Sequence, residues 1–384
     1  MIELRATAKL LRSQTETVSN LRGVDVLLVQ HLFEDTLAFV TALKAANILV
    51  RAVVGIPYSA KEHVRHELEN RGIDTLVPDM ERISEVVLTH VQQSTELGRK
   101  SILHEVGGYC SELASNSAKF EEGCLGIVEE TKQGLWRYSK QPTLRVPVVQ
   151  FADAKLKTFE SEFVGRAVAR SVDEDLALLG KSVDTADLGV IGFGDIGSGV
   201  ARSLRRRGSH VRCFDIKPMR MMDAGAQGFR CVDLQRLIRA SDAIVGATGV
   251  GCMEAEHLEN LRDGVLLSSA SSRNLEFPIS AIRQARVEDS KLSAHVHEYR
   301  LKWGKSVRVS SDGFPVNFRS FSLPPSFGDL MFCQVLMGFG RILDRSYPVG
   351  LHRLRESDQE IVADAWWESH RDQNPRDGSW ELRI

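Results

Sequence analysis

At 384 residues, 43% hydrophobic and 26% charged, the chain is long enough for two cores and is neither fibrous nor intrinsically disordered in composition. A formal net charge of −2 leaves no surplus for gripping a nucleic-acid backbone. Six scattered cysteines without a CxxC pair argue against a disulfide framework or zinc knuckle, and the lack of a signal-like start or membrane-length apolar run reads as cytoplasmic, with no membrane partner.

In chain order, apolar runs at Val24 to Val29, Ile48 to Val54 and Thr75 to Val77 alternate with helical patterns at Thr36 to Ala46 and Lys61 to Asn70. That succession predicts a parallel sheet covered by helices. Ile102 to His104 and Val146 to Phe151 add strands, and the amphipathic stretch Ala154 to Leu179 reads as a helix between domains. A second series of strands follows at Leu188 to Ile191, Val211 to Phe214, Ala243 to Val245 and Val265 to Ser268. The apolar helix around Leu330 to Leu343 is expected to return to the first domain, and the polar end from Asn374 reads as a loose tail. The expectation is an α/β protein of two domains. A Rossmann NAD-binding domain over 161–324 is inserted into a substrate-binding domain made of 1–160 and 325–384.

The sharpest motif is Gly192-Phe193-Gly194-Asp195-Ile196-Gly197, a GxGxxG that follows an apolar strand and opens a helical pattern. In that setting the first glycine permits a tight turn, the second lets a pyrophosphate approach the backbone, and the third lets helix and strand pack closely. Asp215, at the end of the next strand, is placed to accept hydrogen bonds from a ribose and would repel a 2′-phosphate, which favours NAD over NADP. Lys217 and Arg220 stand close enough to work against that preference. The basic run Arg202 to Arg207 reads as a solvated helix face.

Around this fingerprint the chain resembles the S-adenosylhomocysteine hydrolases, roughly from Asp25 to Leu343. The resemblance is carried by GIVEETKQG (Gly126 to Gly134), GFGDIG, Ala247-Thr248-Gly249 and YRLKWGKSVRVSSDGFPVNF (Tyr299 to Phe318). It implies a tightly held NAD that oxidises the 3′-hydroxyl of a nucleoside, a ketone that acidifies C4′–H, elimination of the 5′ substituent, addition of water, and return of the hydride. It also implies a homo-oligomer. By the same resemblance, Glu130 and Thr131 meet the ribose and the nicotinamide side, and Lys157 polarises the 3′-hydroxyl. Glu160 is the acid beside that lysine, three residues on and so on one helical face. His31 handles the 5′ leaving group, Asp35 reads the base, and Asn317 lies near the nicotinamide amide. Thr248 and Gly249 join the glycine turn and Asp215 as cofactor residues.

The departures cluster. Val106 stands where the family has an aspartate, with Glu105 beside it, and Ser272 replaces a histidine; both positions belong to the 5′ side of the substrate. Phe33 replaces a threonine and Pro324 a histidine in the base pocket, and no counterpart of the family's C-terminal extension is recognisable after Leu343. Sugar oxidation is therefore expected to persist while thioether hydrolysis is not, which suits a lyase or dehydratase on another nucleoside or sugar. Hydrolysis of S-adenosylhomocysteine itself and a non-catalytic NAD-bound homologue are the competing expectations. His295 and His297 share the face of an apparent strand but lack a third ligand, and His63 and His66 lie on a charged helix face, so no metal is expected.

Overall fold

The computed structural model describes residues 2–320 and 322–371; the tail expected from Asn374 lies outside them. The chain forms two compact units, one built up to Thr158 and again from Pro324, the other from Phe159 to Leu323. The stretch expected as one helix is interrupted at Phe159, between helices Lys155–Thr158 and Glu160–Leu178, and the unit boundary falls there.

In chain order the first unit supplies strands β1 (Asp25–Leu32), β2 (Leu49–Ala60), β3 (Asp74–Leu76), β4 (Ser101–Glu105), β5 (Cys124–Glu129) and β6 (Pro147–Gln150). The second unit supplies β7 (Asp187–Ile191), β8 (His210–Phe214), β9 (Arg230–Cys231), β10 (Ala243–Gly246), β11 (Val265–Ser269), β12 (Arg286–Lys291), β13 (Val296–Leu301) and β14 (Ser306–Ser310). β15 (Gly350–Arg353) belongs to the first unit again.

The first sheet runs β15-β6-β5-β4-β1-β2-β3 and is parallel throughout. The second runs β12-β13-β14-β11-β10-β7-β8-β9, parallel except for the antiparallel β12-β13-β14 edge. Both sheets reverse direction of winding beside their first strand, between β1 and β4 in one and between β7 and β10 in the other. Ligands of open α/β sheets bind at the carboxyl ends of strands flanking such a switch point.

Apolar runs rather than alternation mark these strands because both sheet faces are covered. In β7, Val190 packs into a cluster with Val172, Val200 and Val245, while its neighbour Ile191 packs on the opposite face with Leu237, Ile244 and Leu267. In the first unit Leu27, Val29, Leu103, Ile127 and Val148 form one such core. The helix Pro325–Leu343, buried along most of its length, joins this unit.

The basic run is solvated at Arg205 and Arg206, which are exposed, but its charges also find partners. Glu162 pairs with Arg202 at 3.2 Å and with Arg206, Arg207 lies 3.6 Å from Asp173, and the Arg205 guanidinium sits 4.1 Å above the Phe229 ring. The ion pairs to Glu162 and Asp173 form where the helix Asp195–Arg206 packs on its neighbour. His295 precedes β13 and does not alternate with His297 along it; His297 pairs with Asp289 at 3.0 Å. Among the described residues no group of three His, Cys, Asp or Glu could hold a metal, and no helix is long and apolar enough to cross a membrane.

Candidate functional site

In the second unit β7 delivers the chain into Gly192, whose φ of +95° lies in the left-handed region. A Cβ there would come within 2.6 Å of the Ala247 carbonyl oxygen, so both backbone shape and space require glycine. A Cβ on Gly197 would fall 1.8 Å from the Gly192 carbonyl oxygen, which is the close helix–strand contact expected of the third glycine. Gly194 is different: the nearest atoms a Cβ would meet are those of the Arg220 guanidinium, at 3.4 Å. Its surface is thus open to a ligand, at the N-terminus of the helix Asp195–Arg206, where unpaired N–H groups favour a phosphate.

Asp215 closes the turn. Its Oδ2 accepts from Phe193 N at 2.7 Å and from Arg220 at 3.3 Å, and its Oδ1 accepts from Lys217 N at 2.8 Å. The carboxylate therefore braces the glycine turn from within. Beyond β10, Glu276 does the same for the Ala247-Thr248-Gly249 loop. It accepts from Thr248 N, Thr248 Oγ1 and Gly249 N at 2.7, 2.7 and 2.6 Å. This fully buried glutamate escaped the sequence reading, although an acid within the otherwise apolar run Leu275 to Ile279 was its visible trace. Asn317 is buried in the short helical turn Val316–Arg319, and Ser272 is half-buried in the loop after β11. A turn shaped for a pyrophosphate and an acid at the ribose position fit NAD.

In the first unit the switch point gathers different chemistry. Glu130 leaves the end of β5 with its backbone N donating to the Glu105 carbonyl, so its side chain stands over β4. Lys157 Nζ donates to Glu130 Oε1 at 2.8 Å, and both side chains are nearly buried, 10% and 13% exposed. Glu130 Oε2 lies 3.3 Å from His104 Nε2 and 3.5 Å from Gln30 Nε2. Burial alone would raise the Glu130 carboxyl, but Lys157 and His104 outweigh it and hold it well below the usual carboxylate range. Neither His104 nor Gln30 was anticipated; a polar residue in the buried run Ser101–Glu105 was the only signal.

His31, on β1, bonds through Nδ1 to Ser59, whose hydroxyl also donates to the Ile56 carbonyl at 3.3 Å. Burial lowers its imidazole to about 4, with Glu130 opposing and Lys157 adding, so the ring is neutral at neutral pH. Phe33 caps the helix Glu34–Ala45 beneath the Lys61 ammonium, 4.9 Å from its ring centre. Burial pushes the Asp35 carboxyl up to about 6 against the Thr36 N–H that favours its charge.

The opposite face of the same strand ends holds a second acid pair. Glu105 and Glu129 are register partners on β4 and β5, both fully buried. Glu129 accepts from Gly107 N, Gly108 N, Thr131 N and Thr131 Oγ1 at 3.3, 2.9, 2.6 and 2.7 Å; Glu105 accepts from the Tyr138 hydroxyl and, at 3.2 Å, from Cys110 N. Burial, reinforced by the Glu105 charge, pushes Glu129 up to about 8. The two carboxyls thus keep a proton between them at neutral pH.

Glu160 opens the helix of the second unit, and within the first unit Lys157 also carries the carboxylate of Glu130, 27 residues away in sequence. The Thr131 hydroxyl donates to Glu129 and accepts from Gly107 N and Gly134 N, so it is fully engaged inside its own unit as the cap of the helix Lys132–Ser139. Val106 is buried at 3% exposure in the apolar core, and Pro324 precedes the first turn of the helix Pro325–Leu343.

Residues 167–322 match the model of the S-adenosyl-L-homocysteine hydrolase NAD-binding domain. The adenosylhomocysteinase of Saccharolobus solfataricus is 25% identical over 320 residues, 82% of this chain and 76% of that protein. That of Aeropyrum pernix is 24% identical over 374 residues, 92% and 86% of the two chains. The S-inosyl-L-homocysteine hydrolase of Methanopyrus kandleri is 27% identical over 324 residues, covering 80% and 73%. The cofactor of the second unit is NAD.

Proposed function

Because the chain is a divergent member of the S-adenosyl-L-homocysteine hydrolase family, we propose that it acts on a nucleoside or related sugar by transient oxidation of the 3′-hydroxyl, removal of the C4′ proton and elimination of a 5′ substituent. The observation that carries the reading is the buried Lys157–Glu130 pair at the first switch point. NAD, when bound, accepts the hydride of the carbinol carbon and later returns it.

Lys157, as the amine, takes the hydroxyl proton while Glu130 fixes its position and stabilises the ammonium that forms. Neutral His31, bonded through Nδ1 to Ser59, is suited to accept a proton rather than to supply one. Val106 and Ser272 carry no ionisable group at the 5′ side. With a ketone at C3′ the C4′ proton leaves, the 5′ group departs with its bonding electrons, and a 4′,5′-alkene remains. Fewer acid and base groups on that side suit a cycle that stops there, as a lyase or dehydratase would. A second reading, hydrolysis of an S-nucleosyl-homocysteine thioether, is favoured by the activities for which the relatives are named. Assembly as a homo-oligomer and a cytoplasmic location belong to the same proposal.

The test is to mix the NAD-loaded protein with adenosine, inosine and S-adenosylhomocysteine in turn and to follow reduced nicotinamide and products. Transient reduction with an unsaturated nucleoside supports the first reading, and release of homocysteine the second. Unchanged cofactor with every compound, and with Lys157→Ala indistinguishable from the parent, would mark a non-catalytic NAD-bound homologue.

A further inference from the structure

We propose that the buried Asp175–Arg319 pair positions the cofactor: it fixes the turn Val316–Arg319 so that the Asn317 side-chain amide meets the carboxamide of the nicotinamide ring. The inference rests on the assignment of Asn317 to the nicotinamide amide, and not on the substrate or the reaction proposed above.

Pro315 pairs with Ser269, the last residue of β11, and β11 lies beside β10. The turn Val316–Arg319 therefore starts at the carboxyl end of the second sheet, the side on which such folds bind a dinucleotide. Asn317 is 5% exposed there, and among the described residues its side-chain amide makes no hydrogen bond. A carboxamide is its complement, because each of the two amides can donate through nitrogen and accept through oxygen.

The backbone around this turn does not hold itself. Ser311 and Asp312, with φ of +47° and +55°, lie in the left-handed region that residues other than glycine seldom adopt, and such a conformation persists where the surroundings impose it. The helix Glu160–Leu178 supplies the hold from one face. Ser171 Oγ donates to the Val316 carbonyl at 3.0 Å, and one helical turn further on Asp175 Oδ1 accepts from Arg319 Nη1 at 2.7 Å. Ser310 Oγ donates to Asp175 Oδ2 at 2.6 Å and accepts from Arg319 Nη2, while Arg319 Nε donates to Ser311 Oγ at 2.8 Å. Arg319 and Asp175 are 7% and 5% exposed in their side chains. A buried ion pair adds little stability over apolar side chains of similar volume. What this one adds is geometry, since the rigid guanidinium fork ties the chain before Asn317 to the chain after it, and both to one helix.

The test compares the dissociation constants of NAD and of its 3-acetylpyridine analogue, whose acetyl group keeps the carbonyl but lacks the amide N–H, in the full chain without substrate. The parent protein is expected to prefer NAD about tenfold. Asp175→Leu combined with Arg319→Met is expected to abolish that preference, as Asn317→Ala does, while the melting temperature without cofactor stays the same or rises. Adding Asn317→Ala to the pair variant should cost no further preference. A folded pair variant that keeps the preference, or that weakens both dinucleotides equally, overturns the proposal and marks the pair as structural. If that variant does not fold, Arg319→Lys decides, because an ammonium keeps the charge but cannot span the three partners. A preference lowered several-fold then upholds the proposal, and an unchanged one overturns it. An undiminished preference in Asn317→Ala overturns the assignment of Asn317 and this inference with it. Absence of cofactor reduction with every nucleoside defeats the proposed function and leaves these binding ratios as expected.

Discussion

The two units place their functional groups at the same topological position and use it in opposite ways. Beside β7 and β10 the switch point is mostly backbone: a glycine turn, a helix N-terminus and two acids, Asp215 and Glu276, spent on bracing loops. Beside β1 and β4 it is nearly all side chain, with Glu130, Lys157, His104 and His31 drawn together from separate strand ends and the segment after β6. A backbone site recognises a shape common to all dinucleotides; a side-chain site holds protons and can be retuned one residue at a time. The positions expected to depart from the resemblance, Phe33, Val106 and Ser272, lie outside the glycine turn, which is intact.

The comparison is broken most severely at Lys157. Lys157→Ala is expected to lower the rate of cofactor reduction by about 10²–10⁴-fold, the usual worth of a positioned acid–base group, while the dissociation constant for NAD stays as it was. Loss of NAD binding in that variant would mean that the two sites do not divide the work. Gly194→Val is the converse. The nearest atoms its Cβ meets are those of the flexible Arg220 guanidinium, in ordinary contact at 3.4 Å, so the protein should fold with an unchanged melting temperature and bind NAD about 100-fold more weakly. Calorimetric titration and thermal melts check both halves.

A smaller effect, of pH, lies within the first unit alone. Glu129 is raised from 4.5 to about 8, so the folded state binds more protons than the unfolded chain between those values. Its contribution to stability is full below about 4.5 and is lost as pH rises through about 8. His31, lowered from 6.5 to about 4, acts the other way: its contribution is present above 6.5 and is lost as pH falls through about 4. Urea midpoints should therefore decline toward alkaline pH, and Glu129→Gln should flatten that decline. The mildest change is Thr131→Val, which removes the cap of the helix Lys132–Ser139 at a cost of about 1 kcal/mol, read as a small drop in urea midpoint with NAD affinity unchanged.

The parallel cores were legible because a strand buried on both faces writes a continuous apolar run, as Val24 to Val29 and Leu188 to Ile191 do. The β12 edge was not, since Arg286–Lys291 is exposed along its whole length and carries no apolar pattern. The helices Arg5–Ser13 and Glu356–His370 were also missed. In the second unit the tight turn at Gly192 and the close helix–strand contact at Gly197 followed from local backbone shape, which spacing encodes. In the first unit's site Lys157 and Glu160 were singled out by resemblance, and the contact of Glu130 with Lys157, made through tertiary packing, left no trace in local spacing. His104 was invisible for a similar reason. One histidine in a buried strand reads as core until the neighbouring strand end shows which carboxylate it faces.

The most direct test of the whole account is a single-turnover experiment in which the NAD-loaded protein is mixed with adenosine and, separately, with 3′-deoxyadenosine, and nicotinamide absorbance is followed with time. The account predicts reduced cofactor that rises and then decays while still bound, with the 3′-hydroxyl present, and no signal without it. Steady accumulation of free NADH, or an equal signal from the 3′-deoxy compound, would contradict it.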